Sequence, residues 1–451
     1  MGGLIQLVAY GAQDAYLTGS PEMTYFKSVF RRHTNFSIES IKQTLDGNIT
    51  ASESQVSTTI SRSGDLLSNV WIEAELPQIT NVNGNSTYTH WCNNTGSAFL
   101  KECSIDIGGH QIDKHNSIWQ DIYNELNIRD KNTNKLLNKH DTLLYRNTGS
   151  NTRAPRMYLF IPLYFWFCRN TGSALPLIAL QYHEVTLNFI FRAIDNLIIT
   201  DSGTGSINTT PPNIEVWCDY IFLDEEERKR FAQSTHSYLV EQVQVHEEDL
   251  TGTETKNIEV FFSHPVKELI WVFTDNTRTS EINTRDDPAD PSVFVPKTLD
   301  DDGDAIVING TETIGGHDYF NYQVSVNNSL ISANDSGSSI GGDNYMENFG
   351  SMILKLNGHH RFEARKAVYF RTVQPIQANH EIPRKHIYCY SFALNANNLQ
   401  PSGTCNMSRI DTVELEFSNL GNSTTRNIHI YSVGYNILKI VSGLGGLAFA
   451  H

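Results

Sequence analysis

The chain repeats itself. Across its 451 residues, four short segments recur in unbroken order. HTNFSIESI (33–41) returns as HSYLVEQVQ (236–244), and IDIGGHQID (105–113) as LKLNGHHRFE (354–363). VTLNF (185–189) returns as VELEF (413–417), and IEVWCDYIFL (214–223) as IHIYSVGYNIL (428–438). The offsets drift through insertions, but the order constrains the fold more than any single motif does. It implies two copies of one β-domain joined at 224–235, where DEEERKRFAQST reads as a short charged helix or turn. A chain of this length also exceeds what one core supports.

Within each copy the pattern is β. VWIEAEL (70–76) alternates apolar and polar residues, as a sheet with one solvated face requires. Gly108-Gly109 and Asn357-Gly358 sit between short alternating runs at the same ordinal place in each half, where two-residue turns make tight hairpins. MYLFIPLYFWF (157–167) reads as a strand buried on both faces, and 120–156 as a polar insertion with some helical period. Short strands in close succession, with almost no amphipathic helix between them, predict antiparallel sandwiches. The fold class is therefore all-β: two tandem eight-stranded jelly-roll sandwiches with short helices and long loops.

The expected domains are an arm at 1–24, a first roll at 25–223, a linker at 224–235 and a second roll at 236–451. The Gly- and Gln-rich arm cannot bury a face of its own and must dock on something else. Residues 275–350, rich in Asp, Asn, Gly and Ser, form a long outer insertion. Extra strands at AIVI and YQVSV are expected there, on an exposed tower.

Net charge is −16, from 50 acids and 34 bases, which disfavours direct wrapping of nucleic acid. The six cysteines show no metal spacing and read as buried thiols of a chain folded in reducing conditions. MGGLIQLVAYGAQD lacks the basic start and long apolar stretch of a secretory signal, and Gln6 argues against myristoylation of Gly2. MYLFIPLYFWFC is too short to span a bilayer, so a soluble protein is expected. Ten N-x-S/T sequons are present.

No catalytic constellation assembles. His183 and Glu184, like His359 and His360, are strand neighbours that point to opposite faces. HEED (246–249) and HEIPRKH (380–386) are not HExxH, and Pro383 would break the helix that zinc motif needs. LDDDGD (299–304) lacks both anchoring carboxylates of a calcium loop. The expectation is no enzyme, no cofactor and no metal.

GGLIQLVAYGAQDAYLTGSPEMTYFKSVFRRHTNFSIESI (2–41) closely resembles the opening of the major capsid proteins of nucleocytoplasmic large DNA viruses, especially the algal-virus and iridovirus branch. The likeness continues through SRSGDLL (61–67), IDIGGHQIDKH (105–115), LPLIALQYHEV (175–185) and WCDYIFLDEEERKRFA (217–232). In the second half it runs through FSHPVKELIW (262–271), LNGHHRFEARKAVYF (356–370), LQPSGTCNMSRID (399–411) and YNILKIVSGLGGLAFAH (435–451).

The resemblance implies a double jelly roll that forms a homotrimer of pseudo-sixfold outline and tiles an icosahedral shell. Its partners would be neighbouring capsomers and minor capsid and penton proteins, with an inner membrane met only indirectly and no direct nucleic acid. The arm would lie on the inner face and 275–350 outside, where Asn309, Asn327 and Asn334 are glycosylation candidates. The location implied is the virion capsid, after synthesis and assembly in host cytoplasm. The alternative weighed against this is a viral jelly-roll attachment or carbohydrate-binding protein, which would need an exposed aromatic platform in a loop.

Overall fold

The computed structural model describes residues 2–80, 89–128, 133–139, 153–154, 156–200, 210–250, 255–275, 319–320, 322, 347–420 and 426–449. They separate into two units, one ending at Phe36 and the other beginning at Ser37. The first unit holds two short helices, α1 (Gly2–Val8) and α2 (Ala15–Thr18). Its large apolar side chains are exposed, among them Leu4, Ile5, Tyr16 and Phe26.

The second unit contains both rolls. The strands of the first roll's two main sheets are β1 (Phe36–Gln43), β2 (Ser54–Thr59), β3 (Leu66–Leu76), β4 (Leu100–Ile107), β5 (His110–Asn116), β6 (Met157–Pro162), β7 (Leu175–Pro176), β8 (Val185–Phe191) and β9 (Asn213–Leu223). They form two facing antiparallel sheets ordered β1-β9-β3-β7, with β6 also on β3, and β2-β8-β4-β5. A helix, α3 (Ser117–Asn127), follows β5 directly.

The second roll repeats this plan. Its strands are β10 (His236–Asp249), β11 (Thr255–Val260), β12 (Pro265–Asp275), β13 (Ser351–Leu356), β14 (His359–His360), β15 (Tyr388–Ser391), β16 (Cys405–Asn406), β17 (Val413–Ser418), β18 (Arg426–Val441) and β19 (Leu444–Leu447). The orders are β10-β18-β12-β15, with β16 on β12 and β19 on β18, and β11-β17-β13-β14. Each pair of repeated segments occupies equivalent strands: β1 and β10, β4-β5 and β13-β14, β8 and β17, β9 and β18. The double jelly roll is thus a duplication of topology as well as of sequence.

Local chemistry sets these elements. In β3, Val70, Ile72, Ala74 and Leu76 are buried while Trp71, Glu73 and Glu75 are half-buried, the period-2 pattern of a strand. Both hairpins place two residues at positive φ, Gly108 (60°) with Gly109 (80°) and Asn357 (50°) with Gly358 (76°), as a type I′ turn requires. The joint between the rolls is a helix, α4 (Glu225–Gln233). Asp224 caps it by accepting from the Glu225 amide, three glutamates fill the first turn, and Lys229 reaches Glu225 at 2.7 Å.

Two expectations are corrected. The run from Met157 does not continue as one strand buried on both faces. It stops at Pro162 and turns into a short helix, Trp166–Arg169. Tyr158 and Phe160 stay exposed because β6 borders its sheet and only alternate residues face the core. The strands buried on both faces are β12 and β18, in which every residue from Val266 to Thr274 and from Ile428 to Asn436 is buried. Within the insertion, Tyr319, Phe320 and Tyr322 are buried rather than carried on an exposed tower. AIVI and all of YQVSV beyond Tyr322 lie outside the described residues.

Candidate assembly site

The functional geometry of this chain lies in the seam between its rolls. The sheet β10-β18-β12 has one face on the second roll's own core, formed by Leu269, Trp271, Phe273, Ile428 and Ile430. Its other face, with Val240, Ile270, Val272, Tyr431 and Val433, joins the core of the first roll. Burying each such side chain contributes ~1.5–3 kcal/mol. The receiving surface is α3 with the stretch after β6. Asn116 caps α3 by accepting from the Trp119 amide at 2.8 Å, and the same oxygen accepts from the Tyr431 hydroxyl at 3.0 Å. The Trp119 and Tyr431 rings lie 5.5 Å apart.

Polar side chains cross the seam in three places, two of them as charge pairs, with each buried charge partnered as burial demands. Asp121 is fully buried, and its carboxylate accepts from Asn94 (2.8 Å), Lys139 (3.0 Å), Lys385 (2.8 Å) and the Tyr322 hydroxyl (2.9 Å). Burial opposes its ionisation, but Lys139 and Lys385 outweigh that and hold the carboxyl at about 2. Lys385 itself is pushed below the usual lysine value by burial, with Lys139 adding to the depression against the pull of Asp121.

Next, Arg169 of the first roll pairs with Glu241 of β10, which also takes Lys267 at 2.7 Å. The Arg169 guanidinium sits over Tyr123, 4.6 Å from the ring centre. Third, His380 bridges Asn127 (2.8 Å) and Glu268 (2.7 Å). Burial would raise the Glu268 carboxyl, but His380, Lys267 and Arg169 keep it below its usual value. Backbone bonds add register: Glu381 donates to the Leu126 carbonyl at 2.9 Å, and Val243 to Asp113 at 3.1 Å.

Among the described residues, the histidine and acid motifs singled out in the sequence do not converge on a reaction centre, and LDDDGD (299–304) lies outside them. His183 contacts the Gly445 backbone, while His359 and His360 are exposed on β14. HEIPRKH instead supplies two buried seam residues, His380 and Lys385, and a buried His386 beside Tyr388. Among the described residues no group of three or more His, Cys, Asp or Glu side chains could hold a metal ion, and no helix is long and apolar enough to cross a membrane. Asn309, Asn327 and Asn334 lie outside the described residues. Sequence reasoning missed the seam charges. Glu268 could have been found, because it shares a strand face with Ile270 and Val272.

Comparison with known proteins agrees with this architecture. Residues 24–224 match the family described as major capsid protein N-terminus, and 227–446 the large eukaryotic DNA virus major capsid protein family. The chain is 36% identical over 482 positions to the major capsid protein of Paramecium bursaria Chlorella virus 1, and 34% over 525 to that of Phaeocystis pouchetii virus, covering all of each pair. A chain of the PBCV-1 virus capsid quasi-atomic model superimposes with a TM-score of 0.72 at 32% identity, over 95% of this chain and all of that one. The Faustovirus major capsid protein shares the fold, with a TM-score of 0.70 at 13% identity over 96% of this chain and 94% of that one.

Proposed function

Because the chain belongs to the major capsid protein family of large eukaryotic DNA viruses, we propose that it is a structural subunit which trimerises into a pseudo-hexameric capsomer and tiles an icosahedral shell. The observation that carries this reading is the duplicated roll with its buried seam. Two modules of one design, locked by the Lys385–Asp121 and Arg169–Glu241 pairs and the His380–Asn127 hydrogen bond, give three chains six similar sides. Near-hexagonal packing then needs a single gene product.

The proposed division of labour is an arm (1–24), two rolls (25–223 and 236–451) joined by 224–235, and an outer insertion (275–350). In this reading the protein works in the virion capsid after synthesis and assembly in host cytoplasm. Its exposed arm side chains meet neighbouring capsomers or minor capsid and penton proteins. The subunit has no catalytic role and does not touch nucleic acid directly, in keeping with its net charge of −16.

The test is the native mass of the purified protein. One chain is 50.8 kDa, so the capsomer reading expects three times that mass and a near-hexagonal outline by electron microscopy. A stable monomer would overturn it and favour an attachment protein.

A further inference from the structure

The seam does not close completely. It encloses a cavity of about 420 Å³, a volume within the range of small-molecule sites. Both rolls build its wall. Trp119, Trp166 and Arg169 line it from the first roll, and Glu241, Lys267 and Tyr435 from the second. Leu239 and Leu399, each 40% exposed, also line it and mark its mouth, whereas Trp119, Trp166 and Tyr435 are buried. An aliphatic mouth thus leads to an aromatic interior.

The charges of this wall are already matched. Glu241 takes both Arg169 and Lys267, and Glu268, also on the wall, takes His380. Its ring faces are occupied in the same way. Arg169 lies over Tyr123, and the Lys267 ammonium is 5.8 Å from the Tyr435 ring centre. A cationic occupant would have to compete with Arg169 and Lys267 for every carboxylate and for both of these rings.

What the wall lacks is an acceptor. Among the described residues, Trp119 Nε1, Trp166 Nε1, Arg169 Nη2 and the Tyr435 hydroxyl are buried without a hydrogen-bond partner. All four belong to residues that line the cavity. Three are N–H groups that only donate, and the fourth is a hydroxyl that can donate. Buried donors are rarely left unpaired, so such a set around one cavity calls for an occupant that accepts.

We propose that the seam cavity binds a small organic carboxylate with a flat apolar body. Its oxygens accept from Arg169 and Tyr435, and its body lies against Trp119, Trp166 and Val433. A carboxylate suits the site better than a neutral carbonyl because its two oxygens form charge-assisted bonds beside a guanidinium. Since the wall is drawn from both rolls, the occupant bridges them and stabilises the docked arrangement by mass action. The site lies within one chain, so this inference does not rest on the capsomer reading.

Benzoate is the probe, benzylammonium its cationic counterpart, and sodium chloride holds ionic strength constant. Calorimetric titration of the full chain is expected to show saturable benzoate binding, with a thermal midpoint that rises with benzoate concentration. The chain has six tryptophans, so indole N–H spectra locate the site. Benzoate should shift the signals of Trp119 and Trp166, assigned through Trp119→Phe and Trp166→Phe, and leave the others in place. Benzylammonium should shift none. Tyr435→Phe removes one atom that has no internal partner, so the fold should persist while benzoate affinity falls about three- to tenfold. No saturable binding at millimolar benzoate would mean that the cavity holds water only, and would overturn the proposal. Shifts at other indoles, equal binding of benzylammonium, or an affinity untouched by Tyr435→Phe would overturn it as well. If Tyr435→Phe unfolds, the indole shifts of the unaltered chain decide.

Discussion

Lys385 of the second roll donates to Asp121 of the first at 2.8 Å, with both side chains buried. The two residues are far apart in sequence, so the pair exists only when the rolls are docked. Asp121→Ala would leave Lys385 buried without its counter-charge and leave Lys139 with Glu125 and the Asn124 side-chain oxygen. The expected loss is about 3–5 kcal/mol, read as a lowered urea midpoint. A loss under about 1 kcal/mol would mean that water solvates both lysines and that the seam is looser than its burial indicates.

Acid should act late. Asp121 and Glu268 have folded-state pKa values below their unfolded ones. Their contribution is therefore complete above the unfolded carboxylate range and is lost as pH falls through the folded values. For Asp121, at about 2, it amounts to roughly 2 kcal/mol. Thermal midpoints should be nearly level from pH 8 to pH 5 and fall between about pH 4 and pH 2. A drop centred near pH 6 would contradict this assignment.

Neighbouring glycines in the first hairpin should respond differently to alanine. Both have positive φ, which costs a non-glycine residue about 1–2 kcal/mol. At Gly109 a Cβ would meet nothing within 4 Å, whereas at Gly108 it would stand 2.5 Å from His183 Nδ1. Gly108→Ala is expected to lower the thermal midpoint more than Gly109→Ala. Equal losses would show that the His183 ring moves aside freely.

All six cysteines are free. Burial pushes the thiols of Cys103, Cys218 and Cys389 up, and that of Cys168 up to about 12. Thiolate, the reactive form, is therefore scarce at neutral pH. Reducing agent should leave the thermal midpoint unchanged, and alkylation of these four should be slow until the chain unfolds. Rapid labelling of Cys103 in folded protein would refute this.

Deleting residues 2–24 should leave the rolls folded and the trimer intact while impairing shell formation. Circular dichroism, native mass and assembly yield measure the three separately. A truncated chain that stays monomeric or unfolds would assign the arm to the trimer or to the domain.

How far sequence reached depends on whether a signal was local. Gly108-Gly109 and Asn357-Gly358 are complete turn signals within two residues, so both hairpins were legible. Alternation in VWIEAEL gave β3 its faces. MYLFIPLYFWF misled because apolarity alone cannot tell a strand covered on both sides from one at a sheet border with exposed Tyr158 and Phe160. Asp121, Lys139 and Lys385 each look like an ordinary surface charge within their own segments. Only tertiary docking brings them together, and no local pattern encodes that. Tyr319, Phe320 and Tyr322 were hidden by the polar composition around them, although a cluster of aromatics amid Asp and Gly is itself a sign of a buried anchor.

The order of synthesis gives the seam one more property. Helix α3 ends at Asn127, whereas its cover β18 begins at Arg426. At ribosomal speeds the interval between them is on the order of tens of seconds. During it, the nascent first roll presents an unfinished apolar wall, at a time when other copies are being made nearby on the same message. Correct docking is thus a race between the chain's own last long strand and its neighbours. Until β18 arrives, the exposed wall of α3 makes capture by a second copy the hazard to expect during synthesis.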